Sequence, residues 1–140
     1  MIHFLLGSHG TMAGGMESSL NILLGNADNL TVINAYIDEK NVNEELEKYF
    51  ARIDENEAVV MMSDLLGGSV NQMMYRWLER PHTKLIAGVN LALVLELVAG
   101  CSSANEVSDE YLEQKIEEAR NAMSLVKLDT NVEEDTDDFF

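Results

Sequence analysis

Glu57-Ala-Val-Val-Met-Met-Ser63, followed by Asp64-Leu-Leu-Gly-Gly-Ser69 and then Val70-Asn-Gln-Met-Met-Tyr-Arg-Trp-Leu78, decides the architecture of this chain. Residues 58–62 are apolar without alternation, the pattern of a strand covered on both faces. Gly67-Gly68-Ser69 punctuates the chain. Val70, Met73, Met74, Trp77 and Leu78 then recur at steps of three and four, which predicts a helix running up to Pro81. A doubly covered strand followed by a helix is one unit of a parallel α/β sheet.

The same alternation extends to both sides. Ile2 to Gly7 is a short apolar run, hence a buried strand, and Met12, Met16, Leu20 and Leu23/Leu24 predict a helix over Met12 to Leu24 that stops at Gly25. Leu30 to Ile37 is expected as a second strand. Asn43 to Ile53 carries Leu46, Tyr49, Phe50 and Ile53 on one helical face. Downstream, Lys84 to Val89 predicts a fourth strand and Leu91 to Gly100 a helix. A long charged helix is expected over Val107 to Val126, with Tyr111, Leu112, Ile116, Ala119 and Met123 facing inward. Four such units imply an α/β fold with a doubly wound parallel sheet. No internal repeat is present.

The chain has 140 residues and 46% hydrophobic content, enough for one core. Residues 1–128 are expected to form one domain. Residues 129–140 hold six acidic residues, so they are expected to be a disordered tail, with Phe139 and Phe140 as its candidate docking points. With 25 Asp and Glu against 9 Lys and Arg, the formal net charge is -16. Such a surface repels nucleic acid and anionic lipid and favours a transient encounter with a basic protein partner. One cysteine, Cys101, provides neither a disulfide framework nor a thiolate metal set. His3 and His82 have no ligand spacing to a second His or Cys, so no metal and no cofactor is expected. The longest apolar run, Leu91 to Ala99, is interrupted by Glu96 and is short of a bilayer span. A cytoplasmic, soluble protein is the expectation.

In a doubly wound sheet the active crevice lies beyond the carboxyl ends of the strands, where the strand order reverses. For a flavodoxin-like order of 2-1-3-4, that place lies between strands one and three. His9 leaves the first and Asp64 leaves the third. A histidine with one ring nitrogen free can act as a nucleophile, and a carboxylate on the other N–H fixes that tautomer. Gly10, Gly14, Gly15, Gly67, Gly68 and Ser69 surround the pair at two helix N-termini, where unpaired amides suit an anion such as a phosphoryl group. Ser8 with His9 and Asp64 does not read as a hydrolase triad, because adjacent side chains at a strand end diverge and no G-x-S-x-G elbow is present. The eight methionines fall at core-like positions.

Gly7-Ser-His9-Gly10-x-Met12-Ala13-x-Gly15-Met16, Asp64-Leu-Leu-Gly67-Gly68-Ser69 and Ala87-Gly88-Val89-Asn90-Leu91 together resemble the mannose/fructose/sorbose-family IIA domain of the bacterial phosphoenolpyruvate-dependent sugar phosphotransferase system. The likeness spans about the whole chain ahead of the tail. Val70 departs from it, standing where many members have proline, which is expected to alter the turn and not the chemistry. The resemblance implies that His9 takes a phosphoryl group from the histidine-containing phosphocarrier protein and passes it to a histidine of a cognate IIB domain. It implies that Asp64 orients His9, and that Ser69 and the amides of Gly10, Gly67 and Gly68 bind the transferred group. It further implies a homodimer in which an antiparallel edge strand is swapped between subunits, with Ser124 to Leu128 as the candidate, and indirect association with membrane IIC and IID components without direct insertion.

Other readings stay open at this point. The IIA-like phosphoryl donor to dihydroxyacetone kinase shares the fold, though it usually carries His-Ser where this chain has His9-Gly10. A receiver-like module would use Asp64 as the acceptor, but it needs an acidic pair after strand one, and here those places are Ser8 and His9. A regulatory phosphoprotein using His9 without feeding sugar uptake is the third.

Overall fold

A computed structural model describes residues 1–101 and 103–129. The elements alternate as β1 (His3–His9), α1 (Met12–Leu24), β2 (Leu30–Ala35), α2 (Val42–Ala51), β3 (Val59–Ser63), α3 (Ser69–Tyr75), a 3-10 turn (Arg76–Glu79), β4 (Thr83–Ala87), α4 (Leu91–Gly100) and α5 (Asp109–Ala122). The four strands form one all-parallel sheet in the order β2-β1-β3-β4. This is the doubly wound order expected from the sequence. In register, His9 pairs with Ala35 across to β2, and Gly7 pairs with Ser63 across to β3. The carboxyl ends of the three strands therefore open at one rim of the sheet.

Each face of the sheet has its own core. Phe4, Leu6, Val60 and Met62 pack with Leu20 of α1, Leu97 of α4 and Leu112 of α5. Leu5, Val59 and Met61 face the other way, against Leu46 and Phe50 of α2 and Met74 of α3. Strands covered on both sides have no polar face to alternate, so β3 is buried at all five positions. Fully burying a side chain such as Leu5 or Leu46, both 0% exposed, contributes roughly 1.5 to 3 kcal/mol. Gly7 serves close approach: a Cβ there would lie 2.8 Å from Cγ1 of Val70 and 2.5 Å from Cε of Met74. Its absence lets α3 lie directly on β1.

Helix ends follow local chemistry. Asn41, Asn90 and Ser108 cap α2, α4 and α5 by accepting the N–H of Glu44, Leu93 and Tyr111, at 3.3, 2.9 and 3.1 Å. Gly25, at φ +79°, ends α1. Several expected bounds need correction, among them α2, which ends at Ala51 and not Ile53, and β4, which ends at Ala87 and not Val89. The helix expected up to Pro81 ends at Tyr75 and tightens into the 3-10 turn, because proline forces Arg80 into extended backbone (φ -69°, ψ 132°). The second strand stops at Ala35, since Tyr36 turns into the left-handed region at φ +66°. The last helix ends at Ala122 and begins after its Ser108 cap, which leaves Met123 outside it and 83% exposed.

Residues 124–129 carry no regular element in the single chain, and Leu125, Val126 and Leu128 are exposed. The rest of the expected acidic tail, with Phe139 and Phe140, lies outside the described residues. No helix among the described residues is long and apolar enough to cross a membrane.

Candidate functional site

His9 is the last residue of β1 and Asp64 the first after β3. Because those strands are neighbours in register, the two side chains meet: His9 Nδ1 lies 2.8 Å from Asp64 Oδ2. The same carboxylate oxygen accepts the backbone N–H of His9 at 2.9 Å, and Oδ1 accepts the N–H of Leu65 at 3.0 Å. Burial acts to raise the Asp64 carboxyl, yet the His9 backbone N–H, the His9 ring and its charge, and a backbone N–H of the loop outweigh it. The net effect holds Asp64 below the usual carboxylate range. Its side chain is 9% exposed and that of His9 41%.

An ionised carboxylate can only accept, so Nδ1 carries the ring hydrogen and Nε2 of a neutral ring keeps its lone pair. Nε2 lies 3.2 Å from Ser69 Oγ, and Ser69 Oγ lies 2.6 Å from the Tyr36 hydroxyl. Tyr36 also places its ring 5.5 Å from the imidazole, inclined by 42°.

The glycines act differently from the sequence expectation. The Gly10 N–H donates to Ala35 O, the Gly67 N–H to Asn71 Oδ1 and the Gly68 N–H to Leu65 O, so all three amides are already engaged. At the start of α1 the same holds, with the Ala13 N–H bonded to Ser8 Oγ and the Gly14 N–H to Asn34 Oδ1. Unpaired glycine amides are therefore not what these loops present. Gly68 instead provides room, since a Cβ on it would stand 3.3 Å from Cε1 of His9. Gly67, at φ +75°, turns the loop.

Ser8 is buried, and its hydroxyl is committed to the start of α1 and to Gly10 O. It points away from any triad. His3 pairs with Glu57 at 2.7 Å, and His82 lies in a loop at φ +56°. Among the described residues, no three His, Cys, Asp or Glu side chains gather as a metal would require.

Tyr36, Asn34 and Asn71 escaped the sequence reading. Asn71 is buried and fastens the Asp64 loop by donating to Ser63 Oγ at 2.9 Å while accepting the Gly67 N–H. Asn34 lies near the end of the strand beside β1 and Tyr36 directly follows it, and in a 2-1-3-4 sheet that position alone directs attention to them. Around the rim stand Met12, Ile37, Leu65 and Leu66, all exposed.

Residues 3–118 match the family model of the PTS system fructose IIA component, EIIA-man. The chain belongs to that family. It is thus a IIA domain of the sugar phosphotransferase type, whose work is phosphoryl transfer. Among solved structures it is similar to a putative phosphoenolpyruvate-dependent sugar phosphotransferase permease from Klebsiella pneumoniae, with 26% identity over 89% of this chain and 90% of that one, at a TM-score of 0.80. A IIA protein associated with the fucose utilization operon of Streptococcus pneumoniae gives 26% identity, 89% and 92% coverage and a TM-score of 0.68. The mannose/sorbose-specific IIA subunit of Enterococcus faecalis shares the fold at 22% identity, with 93% and 98% coverage and a TM-score of 0.77. No curated protein matches the chain.

Proposed function

We propose that this IIA domain is a cytoplasmic carrier that accepts a phosphoryl group on Nε2 of His9 from the histidine-containing phosphocarrier protein and donates it to a histidine of a cognate IIB domain. One observation carries the reading: Nδ1 is held by Asp64 at 2.8 Å, which leaves Nε2 as the nucleophilic nitrogen on a side chain 41% exposed. In the transfer, the Nε2 lone pair forms the new N–P bond as the donor N–P bond breaks, and the donor ring, which carries a proton on its other nitrogen, leaves as neutral imidazole. Nδ1 keeps its hydrogen throughout, so no proton has to move. The Asp64 charge compensates the positive character that the phosphorylated ring gains.

Ser69 is the hydroxyl within reach of the transferred group. Gly10, Gly67 and Gly68 shape the space that the group occupies. Met12, Ile37, Leu65 and Leu66 form an apolar rim for docking partner proteins, and the -16 net charge steers basic ones. The carrier unit is residues 1–128, working as a homodimer completed by residues 124–128 of each subunit, with 129–140 as a tail.

Asp64 is a poorer acceptor than His9, since its oxygens already hold three N–H donors and the side chain is nearly buried. Incubation with the general phosphotransferase proteins and mapping of the label tests the proposal. The label is expected on His9, stable in base and labile in acid, and absent from His9→Ala while that variant keeps its fold. A base-labile, hydroxylamine-sensitive label, or a normal rate of acceptance by His9→Ala, overturns it.

A further inference from the structure

Tyr36 stands in a backbone region that bulky L residues rarely adopt, at φ +66°, and it is 60% exposed, so burial does not hold it there. What the conformation achieves is contact. It folds the side chain from the end of β2 back over His9, with the hydroxyl 2.6 Å from Ser69 Oγ and the ring 5.5 Å from the imidazole. The direction of these hydrogen bonds follows from counting hydrogens. Asp64 accepts from Nδ1, so Nε2 of the neutral ring must accept; Ser69 has a single hydroxyl hydrogen, and it serves Nε2 at 3.2 Å. Ser69 Oγ is then the acceptor towards Tyr36, whose O–H must donate.

We infer that Tyr36 is a positioning residue, whose hydroxyl fixes the rotor of Ser69 so that the serine O–H points at Nε2 of His9. Without the phenol, the Ser69 hydroxyl is free to turn to water or to other acceptors, and Nε2 loses part of its hydrogen bond. The same fixed rotor meets the phosphoryl oxygens once Nε2 carries the group, while the Tyr36 ring covers the β2 side against water. Hydrolysis there requires a water oxygen to attack phosphorus as the N–P bond breaks, releasing inorganic phosphate and neutral His9. This second consequence rests on the carrier function proposed above, whereas the first does not.

The test separates the two. Nitrogen-15 spectra of the imidazole in the unphosphorylated protein are recorded over the pH range in which the ring loses its proton, for the wild type, Tyr36→Phe, Ser69→Ala and the double variant. Tyr36→Phe keeps the ring and removes only the hydroxyl. The expected result is a displaced Nε2 resonance of the neutral ring in Tyr36→Phe, with no further displacement when Tyr36→Phe is added to Ser69→Ala, since the effect passes through the serine. An Nε2 resonance unchanged in Tyr36→Phe, or an effect of equal size in the absence of Ser69, overturns the inference. In the labelled protein, Tyr36→Phe is expected to shorten the life of the phosphoryl group by about threefold to tenfold, the range of one ordinary hydrogen bond. Failure of His9 to take any label defeats the carrier function and leaves the resting spectra to decide the role of Tyr36.

Discussion

Asp64 accepts on both carboxylate oxygens, from two N–H groups of His9 on one side and from Leu65 on the other. Asp64→Asn cannot reproduce that pattern, because an amide has one accepting and one donating end. Turned to serve His9, it faces the Leu65 N–H with a second donor; turned the other way, it repels His9. Either choice leaves a donor unpaired, at a cost of about 1 to 3 kcal/mol. The charge that favours the required ring state is lost as well. The expected outcome is a tenfold to thousandfold slower phosphoryl transfer, about 1.4 to 4 kcal/mol, with donor binding little changed. Rapid-quench kinetics beside a binding titration check it, and a loss lying wholly in binding refutes the orienting role. Stability carries its own sign. A carboxyl held below its unfolded value stabilises the native state above about pH 4, and that contribution disappears as pH falls through the lowered folded value. Chemical denaturation at several pH values should therefore show the wild-type advantage over Asp64→Asn shrinking towards acid.

At the level of elements, the site depends on α3 being held against β1. Gly7→Ala drives a methyl into Cγ1 of Val70, a β-branched side chain with little freedom to move, and into the more yielding Met74 methyl. Overpacking of this kind costs about 1 to 3 kcal/mol. The expected result is a lower midpoint of thermal unfolding together with slower transfer, since Ser69 opens the displaced helix; a variant as stable as wild type would show that α3 shifts freely. Much of this scaffold was legible beforehand. Runs such as Val59 to Met62 have no polar alternation, and the bounds of α1 and α4 coincide with those predicted from periodicity and terminal glycines. The nearness of His9 to Asp64 followed from the strand order alone. The rest was set by tertiary contact. Tyr36 resembles a strand residue by propensity and leaves the strand to meet Ser69, while Asn34 and Asn71 carry no periodic signal. The engagement of the Gly10 amide depends on Ala35 of the neighbouring strand, far along the chain, whereas the Gly67 and Gly68 amides are taken up close by, by Asn71 and by Leu65.

For the molecule as a whole, the sheet ends at β4, which pairs with β3 on one side and with no other described strand. An open edge invites pairing with another chain. Beyond α5, Leu125, Val126 and Leu128 are 84, 87 and 93% exposed, so the single chain leaves uncovered an apolar segment of strand-forming residues. These two features complement each other, and a strand exchanged between subunits would cover both at once. If the strand is exchanged in this way, deletion from Ser124 onward is expected to give monomer or aggregate, because it would remove the segment closing the partner's edge. Deletion after Asp129 should leave assembly unchanged. Sedimentation of the full chain and both truncations over a range of concentrations decides the matter, since an exchanged dimer gains stability with concentration by mass action. If the chain ending at Met123 sediments as a stable dimer, its subunits join elsewhere and residues 124–128 have no part in the contact.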